Sequence, residues 1–216
     1  HSMSTLEQQL SQGAEALGIE LTAAQHSALM DYLSLLQKWN KAYNLTAIRK
    51  AEGMVSLHLL DSLAVHSVVQ DVDNIIDVGT GPGLPGIVLA IMNPQKRFTL
   101  LDSNGKKTRF LFQVKTALTL DNVSIVNGRV EAYHPPQPFD MIISRAFASL
   151  ADMTGWCHHL RADDGCFLAM KGQYPEQEIA DLEGKFLVTD VTELTVPGVE
   201  GQRHLLRLVP DIAPAK

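Results

Sequence analysis

The chain predicts an α/β fold: a seven-stranded, mostly parallel sheet whose last strand runs antiparallel, preceded by a helical extension. Three observations predict it. From residue 74 onward, short apolar runs alternate with helical patterns, the signature of βαβ units. The apolar run Asn74–Val78 leads into the glycine-dense loop Gly79-Thr80-Gly81-Pro82-Gly83-Leu84-Pro85-Gly86 and then the apolar helix Ile87–Met92, stopped by Asn93-Pro94. Finally, the last two apolar runs are separated around Pro197-Gly198 with no room for a crossover helix, so they pair as an antiparallel hairpin.

In chain order, residues 4–17 carry a modest helical pattern ending at Gly18. Thr22 with Gln25 three residues on fits a capping box. Leu29, Leu33, Leu36, Trp39 and Tyr43 then recur at helical spacing, giving an amphipathic helix of about six turns with its aromatics as core anchors. One further helix is expected from about Ala51 to Val69, with His58, Asp61 and Ser62 on a shared face. After the first strand and glycine loop come strand Arg97–Asp102, helix Lys106–Leu120, strand Asn122–Asn127 and strand Phe139–Ser144 behind a proline-rich loop. A helix over Ser149–Leu160, strand Gly165–Met170, a short helix over Pro175–Leu182, and strands Lys185–Val196 and His204–Val209 complete the chain. Two parts follow: a helical cap over residues 4–72 and an α/β domain over 73–210, forming one compact unit. His1-Ser2 before Met3 read as a tag remnant.

Composition excludes several classes. The 216 residues are 45% hydrophobic with mean hydropathy near zero, enough for a sizeable core. No run approaches the ~18 consecutive apolar residues of a membrane span, and no secretory signal stands at the start. A cytoplasmic, monomeric protein is expected. Cys157 and Cys166 form neither a disulfide framework nor a Cys-x-x-Cys motif, and read as core thiols. The eight histidines are scattered, with His158-His159 the one adjacent pair, so no metal site is expected. The net charge of −6 offers no global attraction to a polyanion. Locally, Lys96, Arg97, Lys106, Lys107, Arg109 and Lys115 form a basic stretch that suits phosphates, whereas residues 176–200 are acidic.

The glycine loop alone is ambiguous between ligands, because Gly79, Gly81 and Gly83 also suit a dinucleotide. Asp77, two residues before Gly79, would repel a pyrophosphate and attract a cationic amino group. Asp102 ends the next strand, the position of an acid that accepts ribose hydroxyls. A ligand with a ribose, a positive centre and no phosphate is S-adenosylmethionine, and the strand pattern is the Rossmann-like methyltransferase layout. After the fourth strand stands Ser144-Arg145-Ala146-Phe147-Ala148, not the Asn/Asp-Pro-Pro-aromatic motif common in amine methylation. A cysteine placed for attack on pyrimidine carbon is also absent. An acceptor that is already nucleophilic fits, such as guanine N7, whose alignment needs no obligatory general base.

Asn44-Leu45-Thr46, His58-x-x-Asp61-Ser62, Asp77 to Ile87, Leu100-Leu101-Asp102-Ser103, Ser144 to Ala148, Lys171-Gly172 and Arg203-His204-Leu205 occur together and in order. The chain thereby resembles the RsmG family, also called GidB, from Thr5 to Val209. The resemblance implies in-line methyl transfer from S-adenosylmethionine to N7 of guanine 527 of bacterial 16S rRNA, with the rRNA or a small-subunit assembly intermediate as partner. It implies cofactor contacts at Gly79, Leu84, Val130 and Glu131. Asp77, Gly81, Gly83, Asp102, Ser103 and Arg145 complete that candidate set. Asn44, His58, Asp61, Lys171 and Arg203 are candidates for the guanine or its backbone, with Lys106, Lys107 and Arg109 for phosphates. Two alternatives stay open: a small-molecule methyltransferase on the same fold, and a non-catalytic RNA-binding module. Asp77 disfavours a third, a nicotinamide-dependent oxidoreductase.

Overall fold

A computed structural model describes residues 4–212, and the tag-remnant reading of His1-Ser2 lies outside them. Helix α1 (Thr5–Ala16) and helix α2 (Ala23–Tyr43) each begin with a reciprocal capping box, Ser4 with Glu7 and Thr22 with Gln25. Each box satisfies two backbone N–H groups that the first helical turn leaves open. Tyr43 is exposed at the end of α2, while Trp39 packs half-buried between Tyr43 and Phe110 at ring distances of 5.3 and 5.8 Å. The aromatic expected to anchor the core from position 43 therefore covers a neighbour instead.

The helix expected over 51–69 is not one helix. It comprises α3 (Ala51–Met54), a π-helical stretch Val55–Leu60, α4 (Asp61–Leu63) and a 3-10 turn His66–Val69. The wider π turn changes which side chains share a face, and such turns are frequent at functional sites. His58 and Asp61 line a common cavity, whereas Ser62 is fully buried and its hydroxyl has no partner among the described residues.

The remaining elements are β1 (Asn74–Val78), α5 (Gly86–Met92), β2 (Arg97–Asp102), α6 (Gly105–Leu118), β3 (Val123–Asn127), β4 (Phe139–Ser144), α7 (Leu150–Cys157), β5 (Arg161–Lys171), α8 (Glu176–Ala180), β6 (Phe186–Leu194) and β7 (Arg203–Pro210). They build a seven-stranded sheet of order β3-β2-β1-β4-β5-β7-β6. Strands β1 to β5 pair in parallel, and β7 runs antiparallel to both its neighbours. β7 thus inserts between β5 and β6, leaving β6 as the edge. That edge is largely exposed and carries Asp190 and Glu193, charges that discourage edge-to-edge pairing. Part of the acidic run read in the sequence lies there.

Alternation along the strands sorts the core into two layers. Ile75, Phe98, Leu100, Met141, Ile143 and Leu168 face one way, and pack in a single cluster with Leu10, Leu33, Leu36 and Leu60 of the N-terminal helices. Ile76, Val78, Leu101, Ile142 and Phe167 face the other way, against Leu150, Met153 and Cys157 of α7. This is the period-2 pattern of a sheet covered on both faces. Both cysteines are buried free thiols.

Helix α2 is also tied to the glycine loop. The Tyr32 hydroxyl, fully buried, donates to the carbonyl of Pro82 at 2.8 Å. Burial pushes the Tyr32 phenol well above its usual range, so it remains a donor. The substitution Tyr32→Phe leaves that carbonyl buried and unsatisfied. It should cost about 1–3 kcal/mol, read as a lowered midpoint in urea denaturation with an unchanged slope.

Candidate active site

The sheet order reverses direction between β1 and β4, and ligands of open α/β sheets bind outside the strand C-termini at such a point. Two cavities lie at that edge. The first, about 350 Å³, is lined by Gly79 after β1, Asp102 and Ser103 after β2, Val130 and Glu131 after β3, Ala146 to Ala148 after β4, and Asp152 and Trp156 of α7. The second, about 400 Å³, is lined by His58 of the π-helical stretch and Asp61 of α4, Arg145 and Phe147 after β4, Lys171 ending β5 and Arg203 opening β7. Phe147 belongs to both. A larger groove of about 1030 Å³ between α1 and α2 lies away from the strand ends and is walled by Glu7, Glu15, Glu20 and Asp31, which makes it a poor place for an anionic substrate.

The glycine loop is shaped by one carboxylate. Asp77 is 1% exposed, and its Oδ2 accepts from Thr80 Oγ1 at 2.7 Å and from the Gly86 amide at 2.8 Å. A Cβ at Gly86 would stand 2.2 Å from Leu100 Cδ2 and 2.9 Å from Asp77 Oδ2, so only glycine brings its amide that close. Gly79 has φ +68°, and a Cβ there would meet Ala146 Cβ at 2.6 Å. Asp102 braces the loop from outside: its Oδ2 accepts from the Gly81 amide at 2.9 Å and its Oδ1 from the Asn104 amide at 2.8 Å. Burial raises the Asp77 carboxyl to about 7, against the hydrogen bonds from Thr80 and Gly86, which favour its ionised form.

The second cavity is organised by Asp61, also 1% exposed. Arg203 grips it with two parallel bonds, Nε to Oδ1 at 2.8 Å and Nη2 to Oδ2 at 2.6 Å. Arg145 Nη1 reaches Oδ2 at 3.2 Å. Lys171 Nζ donates to the Phe147 carbonyl at 3.0 Å and pairs with Glu178 at 2.9 Å. His58 Nε2 lies 2.8 Å from Thr46 Oγ1, while its Nδ1 is buried with no partner among the described residues. Burial, and next the Arg145 charge, hold His58 down at about 4, so it is neutral at physiological pH.

The expected cofactor residues separate. Gly79, Asp102, Ser103, Val130 and Glu131 line the first cavity. Asp77, Gly81, Gly83 and Leu84 are buried within the loop and line neither, and Arg145 lines the second. Among the expected acceptor residues, His58, Asp61, Lys171 and Arg203 come together. Asn44 stands apart, a left-handed C-cap of α2 whose side chain bonds Arg49. Lys106 and Arg109 are exposed on α6, with Lys107 half-buried. The ends of the basic stretch are corrected: Lys96 is buried and donates to the carbonyls of Gln70 and Val72, and Lys115 donates to those of Leu120 and Val123. Both ammonium groups are committed to their own chain. The sequence pattern assigns Phe147 no role and passes over Trp156, although these two rings meet edge to face at 6.0 Å beside the first cavity. An aromatic so close after Arg145 is the available signal for the first, whereas Trp156 reads as one more helix residue.

The donor set fits a cofactor with an amino group and a ribose. Asp77 Oδ1 is a buried acceptor with no partner among the described residues, and an added Cβ at Gly81 would meet nothing within 4 Å. Fold and site together define an S-adenosylmethionine-dependent methyltransferase of the Rossmann-like class. Among solved structures, the chain is similar to the glycopeptide N-methyltransferase MtfA complexed with S-adenosylmethionine (TM-score 0.58, 12% identity, 69% of this chain and 86% of that one). It is also similar to a methyltransferase from Thiobacillus denitrificans in complex with S-adenosylhomocysteine (TM-score 0.56, 10% identity, 82% and 98%). The family model described as rRNA small subunit methyltransferase G matches residues 25–206. Curated relatives named ribosomal RNA small subunit methyltransferase G include one from Pseudomonas putida, 57% identical over 93% of this chain and 94% of that one, and one from Pseudomonas aeruginosa, 54% identical over the same shares. The chain belongs to the rRNA small subunit methyltransferase G family.

Asp77 gives a pH prediction. Its folded value, about 7, lies above the ordinary 3.8, so between these values the unfolded chain has released a proton that the folded protein retains. The stability this group contributes is present below the unfolded value and lost as pH rises toward about 7. Asp77→Asn cannot ionise. Its denaturation midpoint should therefore improve relative to the native chain from about pH 4 to about pH 7, and parallel midpoints would refute the assignment.

Proposed function

We propose that the chain transfers a methyl group from S-adenosylmethionine to N7 of guanine 527 in 16S rRNA. The observation that carries this reading is the pair of cavities meeting at Phe147 over the sheet's switch point, in a chain of this family. When bound, S-adenosylmethionine supplies an electrophilic methyl on a positively charged sulfur. Gly79, Asp102, Ser103, Val130 and Glu131 hold the cofactor in the first cavity, with Asp102 and Ser103 placed for ribose hydroxyls. Asp77 adds negative potential beneath the loop for the cofactor's cationic end. The acceptor nucleotide occupies the second cavity.

Guanine N7 carries a lone pair and no proton, so no residue has to remove one before attack. The neutral His58 matches this economy: it is buried, bonded to Thr46 and uncharged at physiological pH. The work left to the chain is alignment and exclusion of water. The loop Ser144–Ala148 does the aligning. Ser144 Oγ donates to the Val78 carbonyl at 2.7 Å and accepts from the Ala146 amide at 3.0 Å, fixing the loop against β1. Residues 4–72 act as a cap over the cofactor crevice and share in the RNA surface, with Lys106, Lys107 and Arg109 supplying phosphate contacts.

Incubation with methyl-labelled cofactor and small-subunit rRNA, or its assembly intermediates, should place label at one guanine. That guanine should become sensitive to reduction and aniline scission, the chemistry of N7-methylguanine. Label confined to exocyclic amines or small molecules would sink the reading. Combined Lys106→Gln, Lys107→Gln and Arg109→Gln should weaken rRNA binding and flatten its salt dependence by about 0.7–0.9 in log–log slope for each phosphate no longer neutralised. Binding of S-adenosylhomocysteine, followed calorimetrically, should stay unchanged.

A further inference from the structure

Asp61 is committed to two arginines before any base arrives. Guanine's Watson–Crick edge offers N–H donors that suit a carboxylate, but both oxygens of Asp61 are already held by Arg203 and Arg145, and the side chain is buried. The two guanidiniums are in the opposite condition. Each is a five-donor fork. Arg203 spends two N–H groups on Asp61, and Arg145 spends one there plus a long contact of 3.5 Å to the Leu57 carbonyl. Both side chains are 25% exposed and line the second cavity. Most of their donors have no protein partner among the described residues.

The charge count around that cavity is uneven. Two guanidiniums face one Asp61 carboxylate, Lys171 is matched by Glu178 at 2.9 Å, and His58 is neutral. One positive charge is left over, which suits one singly charged phosphodiester. The base itself does not suit these arginines. The usual arginine contact to guanine is bidentate, to O6 and N7. A donor on N7 would occupy the lone pair that has to attack. Methylation also leaves positive charge on the ring, and a guanidinium against it would oppose the reaction.

Resting on the rRNA-methylation reading above, we propose that the second cavity is the phosphate subsite of the acceptor nucleotide. Arg145 and Arg203 bind its phosphodiester through their free donor edges. Asp61 is a positioning residue that aims both forks and touches no substrate. The guanine ring lies on the other side of the acceptor, against Phe147, the wall common to both cavities.

The first test uses the native chain at constant ionic strength, with guanosine 5′-monophosphate and guanosine as competitors of rRNA methylation. The monophosphate should inhibit at least about ten-fold more strongly and compete with rRNA, not with the cofactor. Equal potency, or no inhibition by either, overturns the proposal. The second test compares three variants by KM for rRNA, kcat and the salt dependence of KM. Arg203→Gln should raise KM and lower the log–log salt slope by about 0.7–0.9, the value of one phosphate contact. Arg203→Lys, which keeps the charge but not the fork, should keep the slope and lose kcat. Asp61→Asn should likewise keep the slope and lose kcat, because both cations remain but are no longer aimed. A native slope in Arg203→Gln, with S-adenosylhomocysteine binding intact, overturns the proposal. If the native chain labels no rRNA, the methylation reading fails instead, so the two failures are distinct.

Discussion

One buried carboxylate sets the shape on which the first cavity depends. Asp77, next to last in β1, holds Thr80 and the amide of Gly86, so the loop winds around its Oδ2. The loop is then fixed from two further directions, by Asp102 at Gly81 and by Tyr32 at Pro82. Burying a charged carboxylate is expensive, and the raised Asp77 value expresses that cost. The free Oδ1 adds to it, since a buried acceptor without a donor is a destabilising feature by itself. A loop wound around such a group gains its shape at a cost in stability.

The second cavity solves the complementary problem. It gathers positive charge in a partly buried place, and two guanidiniums side by side would repel one another. Asp61 between them removes most of that repulsion while leaving their outer edges open. Its partners come from 84 and 142 residues away in sequence, one on the loop after β4 and one at the start of β7. The insertion of β7 between β5 and β6 is what brings Arg203 to the same strand-end edge as Arg145. An antiparallel β7 begins where β5 ends, with Lys171 paired to His204 in register. The reversed strand thus has a direct consequence for the site.

Local signals were legible and long-range ones were not. The bounds of β2 and β4 follow from apolar runs flanked by polar turns, and the capping box of α2 from Thr22 and Gln25. The glycine loop and the hairpin at the end of the sheet were likewise readable, because each depends on neighbours within a few residues. The widening at Val55–Leu60 was not, since a π turn has the same apolar spacing to a first approximation as the α-helix that it replaces. Lys96 and Lys115 looked like phosphate ligands because charge is visible in a sequence and burial of an ammonium against carbonyls is not. The ion pairs of Asp61 are tertiary facts. The sequence held the three residues in recognisable motifs but carried no sign that they meet.

The loop Ser144–Ala148 joins the two cavities. Its first residue is bonded to the end of β1, its second to Asp61 of α4, and the carbonyl of its fourth to Lys171 of β5. Three fixed points from three different elements determine the placement of a short segment in space. Phe147, the residue in both cavity walls, therefore has its backbone located relative to the glycine loop and to the paired arginines together. Displacement at a saturated methyl carbon requires nucleophile, carbon and leaving group in line, and misplacement by about 1 Å can cost about 10²-fold in rate. In the proposed transfer to guanine N7 no proton has to be removed, so alignment is the main thing asked of the protein. The density of tethers on these five residues matches that demand.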